Sequence, residues 1–399
     1  MNTSLLSLIG RNTGLFEFDL EKNSNKLLEI VSESSFLVLG GAGTIGQAVT
    51  KEIFKRSPKK LHVVDISENN MVELVRDIRS SFGYIEGEFR TLILDIGSLE
   101  FDRFIEFDGQ YDYVLNLSAM KHVRSERDPY TLMRMLNTNV LNTQTSLLKL
   151  KDRGTKKYFC VSTDKAANPV NLMGATKRLM EKVVGSYSKE IDISMARFAN
   201  VAFSDGSLLY GFEKRLSKRQ PIAAPRDIKR YFMTSEESGV LCLMSCLLGY
   251  SGDIFFPKLD EKTNLITFAD IAKKYLKSMG LEPFECENEL EARAFFLKTP
   301  RADSSKWPCV FSDSDTTGEK PFEEFFVDGE SVDLERYLEI GVVVNSLRSD
   351  EFSVTEFELD YHELRKQKRW SKRSIVEFVC KHVPEFSHLE LDKYLDQKM

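Results

Sequence analysis

Cysteine is scarce, with six residues in 399 at 160, 242, 246, 286, 309 and 380, and no C-x-x-C pair among them. That excludes a disulfide-built scaffold and fits a reducing compartment. Cys242 and Cys246 lie four apart in an apolar helical run, but no third ligand is nearby, so they read as packing and no metal site is expected. An excess of positive charge is also missing: 55 basic against 61 acidic residues leave a net charge of −6. No global field exists to gather nucleic acid or an anionic membrane. Long apolar runs are absent too, since the longest stretch, Val240 to Leu248, falls far below the ~20 residues of a bilayer span. The N-terminus has no basic stretch followed by a long apolar one, so no secretory signal is expected and the chain reads as cytoplasmic. What is present, 42% hydrophobic and 29% charged residues, belongs to a globular protein with a large core.

Short apolar runs recur at 36–39, 61–64, 92–94, 114–117, 158–161 and 193–196, each read as a strand buried on both faces. Segments of helical length separate them. That rhythm predicts a doubly wound parallel sheet of Rossmann type with right-handed crossovers. We expect a leader over 1–35, a dinucleotide-binding domain over 36–200 with about 236–257 added, and a smaller α/β substrate domain over 201–235 and 258–399. Within the last part, residues 365–373 hold six basic residues around Trp370; an acidic stretch precedes them, and a solvated helical surface is the reading rather than a nucleic-acid patch.

Directly after the first strand comes Gly40-Gly41-Ala42-Gly43-Thr44-Ile45-Gly46, followed by a helical segment. Glycines at 40, 43 and 46 permit a tight turn, close approach to a pyrophosphate and helix-on-strand packing, while the helix N-terminus offers N–H donors. In this strand–turn–helix context the motif predicts a dinucleotide site. Asp65 ends the second strand, where a carboxylate accepts from the adenosine ribose and repels a 2′-phosphate, so NAD is expected over NADP; an Asp that merely caps the next helix is the alternative. Asp95 ends the third strand, where adenine is usually met.

The fifth strand runs into Ser162-Thr163-Asp164-Lys165, and Met173-Gly174-Ala175-Thr176-Lys177 follows on a helix. In short-chain dehydrogenases a Ser or Thr here, with Tyr-x-x-x-Lys on the next helix, forms the hydride-transfer site. Met173 stands where that Tyr would be, and a thioether carries no proton. Asp164 and Lys165 put an acid and a base side by side. They suit a β-elimination, or else form an ordinary salt bridge.

These residues resemble the nucleotide-sugar 4,6-dehydratases of polysaccharide biosynthesis, an extended short-chain dehydrogenase group acting on UDP-N-acetylglucosamine. The likeness runs from about Leu8 to Ala272. It rests on Leu8-Ile9-Gly10-Arg11, the glycine loop, Asp65 to Asn69, Ala119 to Val123, Asn137 to Val140, STDKAANPVNLMGATKR (162–178), Arg197 to Val201 and Arg230 to Thr234. It implies oxidation at C4 by NAD(P), removal of the C5 proton by Lys165 with a lowered pKa, protonation of the C6 hydroxyl by Asp164, and reduction at C6. Thr163 and Lys177 would handle the C4 hydroxyl past Met173. The cofactor set it implies is Gly40, Gly43, Thr44, Ile45, Gly46, Asp65, Asp95, Ile96, Ala119, Lys121, Asn139 and Lys177, and the UDP-sugar set is Lys121, Asn200, Ser207 and Arg230.

Two departures bear on these expectations. Ala199 replaces the family's Gly, and the C-terminal element around Thr316 to Phe325 lacks the Arg that touches the diphosphate, leaving Arg301 or Arg230 for that role. Helices near Thr131–Lys151 and Leu172–Ser186 are expected to pair into a homodimer. The competing readings are a 4-epimerase, which returns hydride to C4 and needs no Asp-Lys pair, and a non-catalytic dinucleotide sensor, motivated by the absent Tyr.

Overall fold

A computed structural model of the chain describes residues 2–298, 305–314, 320, 322–346 and 352–388. The apolar runs become parallel strands β1 (Ser35–Leu39), β2 (Lys60–Asp65), β3 (Glu88–Ile93), β4 (Tyr113–Asn116), β5 (Lys157–Thr163) and β6 (Asp192–Phe198). Later strands are β7 (Ile222–Pro225), β8 (Asp253–Pro257), β9 (Glu282–Glu285), β10 (Lys306–Ser312), β11 (Val332–Asp333) and β12 (Ile340–Val343). The main sheet has the order β11-β12-β8-β6-β5-β4-β1-β2-β3, with β12 and β11 antiparallel to their neighbours and the rest parallel. Strand order reverses between β1 and β4, which opens a crevice at the carboxyl ends of the strands. The doubly wound expectation is met. One detail differs: β3 is an edge strand, so residues 88–93 alternate between exposed and half-buried, and Ile93 is 45% exposed. A run of apolar residues reports hydrophobicity, whereas burial on both faces requires a neighbour on each side.

The main helices are α1 (Asn2–Leu8), α2 (Glu17–Ser32), α3 (Thr44–Phe54), α4 (Glu68–Phe82), α5 (Leu99–Asp108), α6 (Pro129–Leu136), α7 (Asn142–Asp152), α8 (Leu172–Gly185), α9 (Leu208–Ser217), α10 (Ser235–Leu248), α11 (Phe268–Ser278), α12 (Val354–Lys366) and α13 (Lys372–His382). Helix α10 is apolar on nearly every side because it lies between α3, α2 and the sheet, and it buries Cys242 and Cys246. A smaller core joins α9, α11, β7 and β10 through Phe212, Ile222, Ile271, Leu276 and Cys309. The parallel three-stranded sheet β9-β10-β7 backs it.

Both ends of the chain depart from the expected organisation. The N-terminal stretch is anchored: Phe16, Leu27 and Val31 lie in the main core, Ile9 in the smaller one, and Arg11 pairs with buried Glu237 at 2.6 Å. At the other end, β11 and β12 extend the main sheet, while α12 and α13 pack on the α6 to α8 region. Tyr361 donates to Asn137 (3.4 Å), Gln144 to Glu358 (2.7 Å), and Arg178 and Lys182 bond Glu385 at 2.8 and 2.9 Å. Ser387 N–H donates to Pro169 C=O at 3.1 Å. The two-helix region expected to pair between subunits therefore carries packing from the chain's own tail. The basic cluster falls at the corner between α12 and α13, where Trp370 donates to Leu364 C=O at 3.1 Å and rests its ring on Tyr130.

Candidate active site

At the cofactor end, the chain leaves β1 and turns at Gly40 with φ 71°, where a Cβ would lie 2.7 Å from Ser118 N. At Gly46 a Cβ would come within 2.2 Å of Gly40 O, so this glycine sets how closely α3 meets the strand. Gly43 differs, because a Cβ there would meet nothing of the protein nearer than Gly40 O at 3.7 Å. Its bareness leaves room for a ligand, beside an α3 N-terminus with no side-chain cap. The loop thus fits the pyrophosphate of a dinucleotide.

Around that loop the other expected cofactor residues occupy varied settings. Asp65 accepts from Ala42 N–H (2.9 Å) and from Ser67 N–H (2.8 Å), tying the glycine loop to the start of α4. Each oxygen keeps a further lone pair for a ribose hydroxyl. Asp95 accepts from Gly97 N–H at 2.9 Å, next to the buried Ile96. Thr44 accepts from Asp205 N–H at 3.1 Å, and Ile45 is half-buried beside it. Ala119 is half-buried and Lys121 exposed on the segment after β4.

Asn139 has a structural task as well. It is fully buried in a π-turn (Asn137–Leu141), its Oδ1 accepts from Met120 N–H at 2.8 Å, and its Nδ2 donates to Met120 C=O and Thr176 Oγ1, both at 3.0 Å. With both N–H donors spent and one lone pair of Oδ1 engaged, it clamps the post-β4 loop to α8.

At the chemistry end, Thr163 closes β5 and a single 3₁₀ turn (Asp164–Ala166) follows. Thr163 donates to Asp164 Oδ1 at 2.8 Å, and the same oxygen accepts from Lys165 Nζ at 2.9 Å. Lys165 Nζ also reaches Asn200 Oδ1 at 3.4 Å, which leaves the buried Asn200 Nδ2 with no acceptor among the described residues. A rigid back wall holds this cluster. Arg197, wholly buried one strand over, bonds Glu181 at 2.8 Å and Glu330 at 2.7 Å, and Ser162 donates to Glu181 at 2.6 Å. Glu330 is held down at about 2: its burial is outweighed by the Arg197 guanidinium.

The Lys165 ammonium does not follow the expected direction. Burial works against its charge, but the carboxylates of Asp164 and Glu323 outweigh burial and raise the pKa. Glu323 is the residue that the sequence reading missed. It is buried, with Oε1 3.9 Å from Lys165 Nζ and 3.7 Å from Arg230 Nη2. The signal was present in the Glu-Glu of the C-terminal element, which carried no role in that reading.

Four further assigned residues carry hydrogen bonds of their own. Lys177 Nζ donates to Val161 C=O at 3.0 Å, and burial lowers it to about 8. Met173 is buried in the first turn of α8, its N–H donating to Glu126 at 2.9 Å. Ser207 caps α9 by accepting from Tyr210 N–H at 3.2 Å. Arg230 is buried and donates to the carbonyls of Lys229 (2.8 Å) and Lys320 (2.9 Å) beside Glu323, so it does not lie open to a diphosphate. Arg301 and Thr316 to Glu319 fall outside the described residues.

Fold and glycine loop together define a doubly wound, Rossmann-type α/β protein. Residues 36–344 match the polysaccharide biosynthesis protein family, and the chain belongs to it. An uncharacterized membrane protein of Methanocaldococcus jannaschii is 30% identical over 322 residues, covering 78% of this chain and 86% of that one. The inverting UDP-N-acetylglucosamine 4,6-dehydratase of Campylobacter jejuni is 30% identical over 243 residues, 58% of this chain and 69% of its own. UDP-glucose 4-epimerases of Rickettsia species are also among its relatives. The crystal structure of Pen from Bacillus thuringiensis shares the fold with a TM-score of 0.64 at 24% identity, covering 80% of this chain and 88% of that one. Solved enzymes of this fold include a dTDP-glucose 4,6-dehydratase and a UDP-glucuronic acid 4-epimerase with NAD bound. Among the described residues no helix is long and apolar enough to cross a membrane.

Proposed function

We propose that the protein is a cytoplasmic, NAD-dependent 4,6-dehydratase that converts a UDP-N-acetylhexosamine, UDP-N-acetylglucosamine in the first instance, into a 4-keto-6-deoxy sugar nucleotide for surface polysaccharide or glycan synthesis. The observation that carries it is the part-buried Asp164–Lys165 hydrogen bond of 2.9 Å at the end of β5. Elimination across C5–C6 needs a base at C5 and an acid at the C6 oxygen. One proton moved from Lys165 Nζ to Asp164 makes both at once, and the elimination restores the ion pair. When bound, the nicotinamide would supply the oxidation at C4 and the reduction at C6; the C4 hydroxyl proton would leave to solvent, and Lys165 would return a proton to C5. Gly40, Gly43 and Gly46 would hold its pyrophosphate, and Asp65 its ribose. Asn200 Nδ2, without an acceptor beside Lys165, suits a sugar oxygen. Thr163 is the hydroxyl nearest the pair and orients Asp164.

Incubation with UDP-N-acetylglucosamine followed by NMR tests this reading: a 6-deoxy methyl signal is expected. A C4 epimer would make it an epimerase, and an unchanged sugar would sink both enzymatic readings. Calorimetric titration of the protein with each dinucleotide should give tighter binding for NAD, and tighter NADP would remove Asp65 from the ribose.

A further inference from the structure

We propose that Glu323 governs where the shared proton sits between Asp164 and Lys165, acting as a positioning residue through its charge. The inference rests on the reading of that pair as the elimination acid and base. Glu323 is 3% exposed, and among the described residues its charged neighbours stand beyond hydrogen-bond distance: Lys165 Nζ is 3.9 Å from Oε1, Arg230 Nη2 3.7 Å from Oε1, and Lys320 Nζ 4.0 Å from Oε2. Its Oε2 has no hydrogen-bond partner among the described residues. A carboxylate with a purely structural task is normally bonded at both oxygens. Among the described residues, this one is held by the field of its charged neighbours. The groups facing it are Asp164 and Lys165 from the catalytic turn, Arg230 from its two-residue strand and Lys320 from its own segment, while the neighbouring Glu324 turns outward to Asn168 at 3.1 Å.

Burial and then the like charge of Asp164 favour the protonated carboxyl, and Lys165, Arg230 and Lys320 oppose them; the net direction is upward. Two charge states follow. With Glu323 ionised, Lys165 lies between two carboxylates and keeps its proton. With Glu323 neutral, the ammonium loses one of its two counter-charges, and its proton can cross to Asp164. One N–H bond breaks, one O–H bond forms, and the total proton count of the pair is unchanged. The outcome is a free amine at C5 and a carboxylic acid at the C6 oxygen.

The test compares the full-length holoprotein with Glu323→Gln, Glu323→Asp and Lys320→Gln. Lys165 is titrated by trace labelling with acetic anhydride across a pH series and mass spectrometry, with no sugar present. Removing the carboxylate should lower the Lys165 titration by on the order of one pH unit. Lys320→Gln, which makes Glu323 easier to neutralise, should move it the same way, and Glu323→Asp should stay near the parent. The alkaline limb of kcat/KM with UDP-N-acetylglucosamine should follow the labelling curve. Superimposable Lys165 titrations in parent, Glu323→Gln and Lys320→Gln would overturn the proposal. Because the labelling needs no turnover, an inactive parent would count against the dehydratase reading while the titration still decides the role of Glu323. If Glu323→Gln does not fold, Lys320→Gln carries the same decision.

Discussion

Lys165 and Lys177 are both buried lysines close to β5, and their surroundings drive them in opposite directions. Lys165 has two carboxylates at hand and is raised; Lys177 has mainly burial and a backbone carbonyl, and falls to about 8. Replacing Lys165 by Met keeps length and packing but removes the base, so solvent deuterium incorporation at C5 should drop by roughly 10²- to 10⁴-fold while NAD affinity is retained. Incorporation at the parental rate would remove Lys165 from the mechanism. For Lys177 the sign runs the other way from a salt-bridged lysine. Its folded value near 8 lies below its ordinary 10.5, so the unfolded chain binds more protons between those limits and stability climbs with pH across that window. Below pH 8 the cost of the buried charge is fully felt. Lys177→Met should therefore stabilise at pH 7, by about 1–3 kcal/mol after loss of the Val161 hydrogen bond, and the gain should vanish near pH 10.5 in paired urea melts. At this scale the sequence shows what is contiguous. Thr163, Asp164 and Lys165 are consecutive at a strand end and can be read directly, whereas Glu323 arrives from a distant segment and its proximity to Lys165 is created only by folding.

Element by element, local chemistry accounts for most of the architecture. The strand–glycine–helix unit at 35–54 can be read from its residues because Gly40 and Gly46 each meet a local steric demand. The edge position of β3 cannot, since it depends on the absence of a further strand beyond it. The π-turn at Asn137–Leu141 is a third case: Asn-Thr-Asn looks like a helical continuation, but Asn139 spends its amide on the Met120 backbone and Thr176, locking the post-β4 loop to α8. Asn139→Ala strands the Met120 N–H and C=O and should lower unfolding stability by about 1–3 kcal/mol in a urea melt. A variant as stable as the parent would mean that water replaces the clamp.

Over the whole molecule, the α6 to α8 region is packed by α12 and α13 from the same chain. Intramolecular cover does not depend on concentration, whereas cover by a second subunit does. Hydrogen exchange in α6 and α8 should therefore show the same protection across about a hundredfold dilution. Protection that fades on dilution would mean that subunits supply it. Nothing in residues 354–382 read alone announces this packing, because amphipathic helices of such composition suit any apolar face.

The buried Arg197 joins strand β6 to Glu181 of α8 and also to Glu330, far later in the chain. During synthesis the first six strands and α8 leave the ribosome before Glu330 exists, so Arg197 spends that interval with only one of its two carboxylate partners. The wall behind the Asp164–Lys165 turn is finished late, and a nascent chain that already carries every residue of the glycine loop and that pair still lacks the counter-charge that completes their support. Order of emergence, as well as order of strands, thus sets when this protein becomes competent.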